Sequence, residues 1–109
     1  MMFLKIATLD DLWSGEMIGL EVAGIRVLLI NVDGALRAYA DACPHLGTPL
    51  SRGSLDRGVL SCATHQWQFD VRTGCGVNPR SACLEPLPLK IQDRDILLDP
   101  ESIINMRAP

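Results

Sequence analysis

The only two histidines of the chain stand close to two of its four cysteines. Cys43-Pro44-His45 is followed, after a spacer of sixteen residues, by Cys62-Ala63-Thr64-His65. Each stretch offers one soft thiolate and one imidazole, and four such donors in two short groups are the arithmetic of a metal site. A zinc finger pairs like with like, as C-x2–4-C and H-x3–5-H. Here each half mixes the two donor types. Mixed halves suit two metal atoms sharing one site, with the thiolates of Cys43 and Cys62 on one and the imidazoles of His45 and His65 on the other. A single structural zinc ion held by all four residues, with no redox chemistry, is the competing reading.

The pattern C-x-H, a mid-teens spacer and C-x-x-H resembles that of the Rieske family, in which two histidines replace two cysteines on one iron of a [2Fe–2S] cluster. The resemblance implies one such cluster, bound by Cys43, His45, Cys62 and His65. Two ferric ions, two sulfides and two thiolates sum to a neutral oxidised centre, whereas four thiolates would leave it doubly negative. A neutral centre accepts an electron more readily, so its potential lies above that of plant-type ferredoxins. Respiratory members of the family carry an extra cysteine in each cluster loop, and these form a disulfide. The matching positions here are Thr48 and Thr64, so that disulfide is not expected. The same relatives place a serine and a tyrosine where this chain has Trp67 and Phe69, and neither replacement supplies a hydroxyl to the cluster sulfurs. The expected potential is therefore near the low end of the Rieske range, about −150 mV.

Flanking residues narrow the resemblance. Cys62 to Asp70, read as Cys-Ala-Thr-His-Gln-Trp-Gln-Phe-Asp and followed by Thr73-Gly74, is similar to Rieske-type ferredoxins of bacterial oxygenases. Leu9-Asp10-Asp11-Leu12-Trp13-Ser14-Gly15-Glu16-Met17 is similar to the start of the ferredoxin of toluene-type monooxygenases. The resemblance implies a carrier of single electrons, not an enzyme. It would take them from an NADH-dependent flavin and iron–sulfur reductase and deliver them to the di-iron hydroxylase of an aromatic monooxygenase. A ferredoxin of a ring-hydroxylating dioxygenase and a small Rieske subunit of a nitrite-reductase-like enzyme are the alternatives. The family also places the histidine-bound iron toward the surface. His45 and His65 would then form the electron exit, with Leu46, Pro49 and Trp67 as an apolar rim, although plain core packing is an equal reading of Trp67.

The elements that must position these residues look all-β. The 109 residues are 48% apolar and 21% charged, consistent with one globular domain over 1–109 whose cluster-binding part covers about 42–70. A net charge of −3 disfavours nucleic acid as a partner. No apolar run is long enough to span a membrane, and the start lacks a secretory signal, so a cytoplasmic monomer is expected. In a reducing compartment four cysteines point to metal more than to disulfides. There is no Gly-rich dinucleotide fingerprint, and with both histidines committed no mononuclear iron triad can be built.

Short strands joined by tight turns are expected over Phe3–Ala7, Met17–Val22, Ile25–Val32 and Leu36–Ala40, with turns at Ala23-Gly24 and Asp33-Gly34. Thr8 would cap one helical turn. Val59–Ser61 and Gln68–Asp70 would flank the second ligand loop, and Asp56-Arg57-Gly58 and Thr73-Gly74 would turn the chain. Cys75 to Ala82 is turn-rich. Leu87–Ile91 reads as one strand, with Pro88 at an edge or bulge, and Ile96–Leu98 closes the sheet. The resulting expectation is a Rieske-type antiparallel β-sandwich or barrel carrying a small subdomain of two cluster-binding loops. Cys75 and Cys83 are expected as free thiols, Trp13 as a packing anchor, and Asp10, Asp11 and Glu16 as a solvated acidic group able to steer a basic partner.

Overall fold

The structure, a computed structural model, describes residues 3–43, 47–63 and 67–99. The tail from Pro100 onward, expected as a helical turn or loose chain, lies outside them. Among the described residues, eleven strands form three antiparallel sheets. The first sheet pairs β1 (Leu4–Thr8), β11 (Asp95–Leu98) and β10 (Leu89–Gln92) in that order. The second runs β2 (Met17–Val22), β3 (Ile25–Val32), β4 (Ala35–Ala40) and β9 (Pro86–Leu87). The third runs β5 (Ser54–Asp56), β6 (Val59–Ser61), β7 (Gln68–Asp70) and β8 (Gly76–Asn78).

Turn chemistry explains the hairpins. Ala23-Gly24, Asp33-Gly34 and Arg57-Gly58 each place both central residues at positive φ. Such two-residue loops match the right-handed twist of the strands they join, and they fix the registers Val22↔Ile25, Val32↔Ala35 and Asp56↔Val59.

Strand β3 is the keel of the molecule. Its alternate residues enter two different cores. Leu28, Ile30 and Val32 pack with Cys43, Leu50, Leu60, Cys62, Phe69 and Val71, while Val27 and Leu29 pack with Leu12, Ala38, Ile96 and Leu98. The second sheet therefore separates a core shared with the first sheet from a core shared with the third. A strand covered on both faces has no polar side to present, hence its run of apolar residues. Each fully buried Leu or Ile contributes about 1.5–3 kcal/mol of transfer free energy.

Two expectations are revised. Leu87–Ile91 is not one strand. Pro86–Leu87 pairs with β4, whereas Leu89–Gln92 pairs with β11, and Pro88 marks the switch between sheets. Proline has no N–H to give a ladder, so the break falls there. Trp13, expected as a packing anchor, is instead 74% exposed. The buried residue of that segment is Leu12, whose carbonyl accepts a bond from the Asn31 side chain at 2.9 Å. Asp10, Asp11 and Glu16 are exposed, as expected of a solvated acidic group. The Asp11 carboxylate accepts the Thr8 N–H at 2.9 Å and Glu16 the Trp13 N–H at 2.7 Å, while Asp10 pairs with Arg94.

Candidate metal centre

Cys43 follows β4 and Cys62 follows β6, at the bases of two loops built alike. The Cys43 N–H donates to the Thr48 carbonyl at 2.8 Å, and the Cys62 N–H donates to the Trp67 carbonyl at 2.8 Å. Each bond closes a loop of the same length around the ligand stretch. Gly47, at a φ of 76°, returns its own N–H to the Cys43 carbonyl, which tightens the first loop. Only glycine enters that left-handed region without strain.

Both cysteines are buried, at 1% and 2% exposure, within the same core. The strand pair beneath the second loop explains the position of Cys62. Leu60 and Phe69 face each other across β6 and β7, and both are fully buried in that core. The structure thus brings together two of the four expected ligands, the thiols of Cys43 and Cys62. His45, Leu46, Thr64 and His65 fall between these bonds in sequence but lie outside the described residues. Among the described residues, no group of three or more metal-ligating side chains converges. Two buried sulfur donors at loops whose sequences each carry a histidine fit a centre that takes two thiolate and two imidazole ligands.

Three supports of the first loop carry no sequence motif. Asp41 is buried at its start, and its two carboxylate oxygens accept the backbone N–H of Ser51 at 2.8 Å and the Ser51 hydroxyl at 2.7 Å. The pair staples together the two ends of the stretch that holds Cys43. Gly19 on β2 makes room for it, because a Cβ there would stand 2.6 Å from the Ser51 hydroxyl and 2.8 Å from an Asp41 oxygen. Gly53 faces the backbone carbonyl of Ser61, the residue before Cys62, too closely for any Cβ. That approach sets one loop against the other. Nothing local in the sequence marks these contacts, since their partners lie many positions away.

Trp67 is partly buried and packs against the thiol-bearing core. Phe69 is wholly buried. Cys75 and Cys83 face each other as an antiparallel bridge pair, both exposed, remote in sequence from either loop.

Residues 2–88 match the model of the Rieske [2Fe-2S] domain. The chain belongs to the Rieske [2Fe–2S] family, and it carries one cluster of that type. Over 102 residues it is 39% identical to the ferredoxin component of the alkene monooxygenase system of Xanthobacter autotrophicus, covering 93% of this chain and 84% of that relative. It is 37% identical over 103 residues to the biphenyl dioxygenase ferredoxin subunit of Pseudomonas sp. strain KKS102, with 91% and 93% covered. Among solved structures, the ferredoxin of carbazole 1,9a-dioxygenase from Nocardioides aromaticivorans IC177 superposes with a TM-score of 0.78 at 25% identity, covering 88% of this chain and 95% of that one. The protein is a Rieske ferredoxin of the kind that serves oxygenase systems, an electron-transfer component and not itself a catalyst. Among the described residues no helix is long and apolar enough to cross a membrane.

Proposed function

We propose that this ferredoxin takes single electrons from an NADH-dependent flavin and iron–sulfur reductase and delivers them to the di-iron hydroxylase of a hydrocarbon monooxygenase, working as a cytoplasmic monomer of one domain. Cys43 and Cys62 would hold one iron of the cluster, and His45 and His65 would hold the other. The similarity to the alkene monooxygenase ferredoxin along nearly the whole chain carries this reading. The two thiols buried in one core at matched closed loops support the ligand assignment.

When bound, the cluster supplies a one-electron couple. The residues of this chain hold it and set its surroundings. Leu50, Leu60, Phe69 and Val71 wrap the thiols in apolar side chains. An apolar shell disfavours the negative charge gained on reduction, as burial does for any anion, and it keeps the potential low within the Rieske range. Docking by such carriers uses small contacts that exchange quickly.

The test is reconstitution. Reductase, hydroxylase and NADH are combined with and without the ferredoxin, and hydroxylated product per NADH is measured. Product that depends on the ferredoxin is expected. A second reading, delivery to an aromatic-ring dioxygenase, is favoured by the similarity to the biphenyl dioxygenase ferredoxin. Turnover with a dioxygenase terminal component and none with the monooxygenase hydroxylase would select it.

A further inference from the structure

Cys75 and Cys83 lie outside the cluster loops and take no part in the proposed relay. Their geometry is specific. The Gly76 N–H donates to the Ala82 carbonyl and the Leu84 N–H to the Gly74 carbonyl, both at 2.7 Å. These two bonds flank the Cys75↔Cys83 bridge and define it as a non-hydrogen-bonded antiparallel pair. Such pairs bring their Cα atoms to about 4.5 Å, closer than the hydrogen-bonded kind. A disulfide spans Cα separations of about 4.4–6.8 Å. The two side chains also leave the same face of the ladder, and the neighbouring Cys83 thiol raises the pKa of Cys75 above the ordinary thiol value.

The surroundings hold the pair in this register. A Cβ on Gly76 would collide with the carbonyls of Pro79 and Ala82, so the loop between the cysteines is tight and built around glycine. On the inner side, Leu84 packs in the core that contains Cys43 and Cys62, and Ala82 packs against it. Both cysteines are solvent-exposed, and access is what thiol–disulfide exchange requires.

We propose that Cys75 and Cys83 form a second redox site, a reversible dithiol–disulfide couple that low-molecular-weight disulfides oxidise without disturbing the cluster. The thiolate of one cysteine attacks the S–S bond of the oxidant, forming a mixed disulfide and releasing one thiol. The second cysteine attacks the protein sulfur of that mixed disulfide, closes the Cys75–Cys83 bond and releases the second thiol. Two electrons pass to the oxidant, and the two protons leave with the released thiols. The site does not depend on which oxygenase the ferredoxin serves.

Arg80 separates the two cysteines, so trypsin places them in the peptides 73–80 and 81–90. The cluster-loaded protein is incubated with glutathione disulfide, quenched in acid, alkylated during denaturation and digested without reductant. Expected is a linked pair of peptides 73–80 and 81–90 that grows with the ratio of oxidised to reduced glutathione and disappears with dithiothreitol. The visible absorbance of the cluster stays unchanged throughout. Cys83→Ser is expected to give no linked pair and to trap glutathione on Cys75. Separate peptides from the wild type at every ratio would overturn the proposal. So would a link that forms only as the cluster absorbance is lost, or one joining either residue to a peptide containing Cys43 or Cys62.

Discussion

The hydroxyl of Tyr39 on β4 donates to the carbonyl of Val71, just past β7, at 2.6 Å. One buried bond thereby fastens the middle sheet to the part that carries Cys62. Beside it the Arg72 guanidinium reaches Asp33 at 2.8 Å, but that pair is exposed and contributes little. Replacing Tyr39 with Phe keeps the ring and leaves the Val71 carbonyl without its donor. The expected loss is about 1–3 kcal/mol of unfolding free energy, read by denaturant titration. An unchanged midpoint would show that water replaces the hydroxyl.

Burial also raises the pKa of Tyr39 above the ordinary tyrosine value. It is the only tyrosine in the chain, so tyrosinate absorbance reports it alone. The titration midpoint is expected above about 10. Because the folded value exceeds the unfolded one, Tyr39 keeps its full contribution to stability below about pH 10 and loses it as pH rises toward the folded value. Tyr39→Phe should lack that part of the alkaline decline. A midpoint at the model-peptide value would contradict the assignment.

The Asp41–Ser51 staple should decide how well the first loop holds the cluster. Asp41→Ala removes both acceptors and strands the Ser51 N–H, at a cost of about 1–3 kcal/mol. Cluster content per chain, from the ratio of visible to ultraviolet absorbance, is expected to fall with it. Gly19→Ala should act in the same direction, because its methyl intrudes on the same pair. Full occupancy in both variants would mean the loop is held by other contacts.

Two glycines separate backbone strain from loop placement. At Gly24, which has a φ of 82° and open space around its Cβ position, alanine is expected to cost about 1–2 kcal/mol and to leave cluster content intact. Gly53→Ala meets the Ser61 backbone and should push the two loops apart, yielding a protein with little or no cluster. Equal cluster content in the two variants would refute the role given to Gly53.

Cys43→Ser and Cys62→Ser are each expected to abolish the visible absorbance, while Cys75→Ser retains it. The wild-type midpoint potential should fall near about −150 mV, since Phe69 and Trp67 bring no hydroxyl to the thiol-bearing core. Potentiometric titration checks this, and a value above zero would disprove the low-potential assignment.

Trp13 offers a contrast between sequence and structure. Its bulk suggested an anchor, yet exposure predicts that Trp13→Ala changes stability by no more than about 0.5 kcal/mol. A larger loss in thermal or chemical melts would place it in contacts with the body.

The cluster motif was legible because ligand identity and spacing are properties of consecutive residues. So were the bounds of β2 and β3, because the turns that end them need only Ala23-Gly24 and Asp33-Gly34. Ser54–Asp56 and Gly76–Asn78 were not legible as strands. They are three residues each, mostly facing solvent, and they extend only because neighbours in the third sheet accept their backbone bonds. The same holds for the division at Pro88, the staple of Asp41 to Ser51 and the facing of Cys75 with Cys83. By itself the sequence determined the chemistry of the site, since metal donors act through their own atoms. Only the tertiary structure decided which segments meet, because hydrogen bonds and close approaches between distant residues depend on where the whole chain has gone.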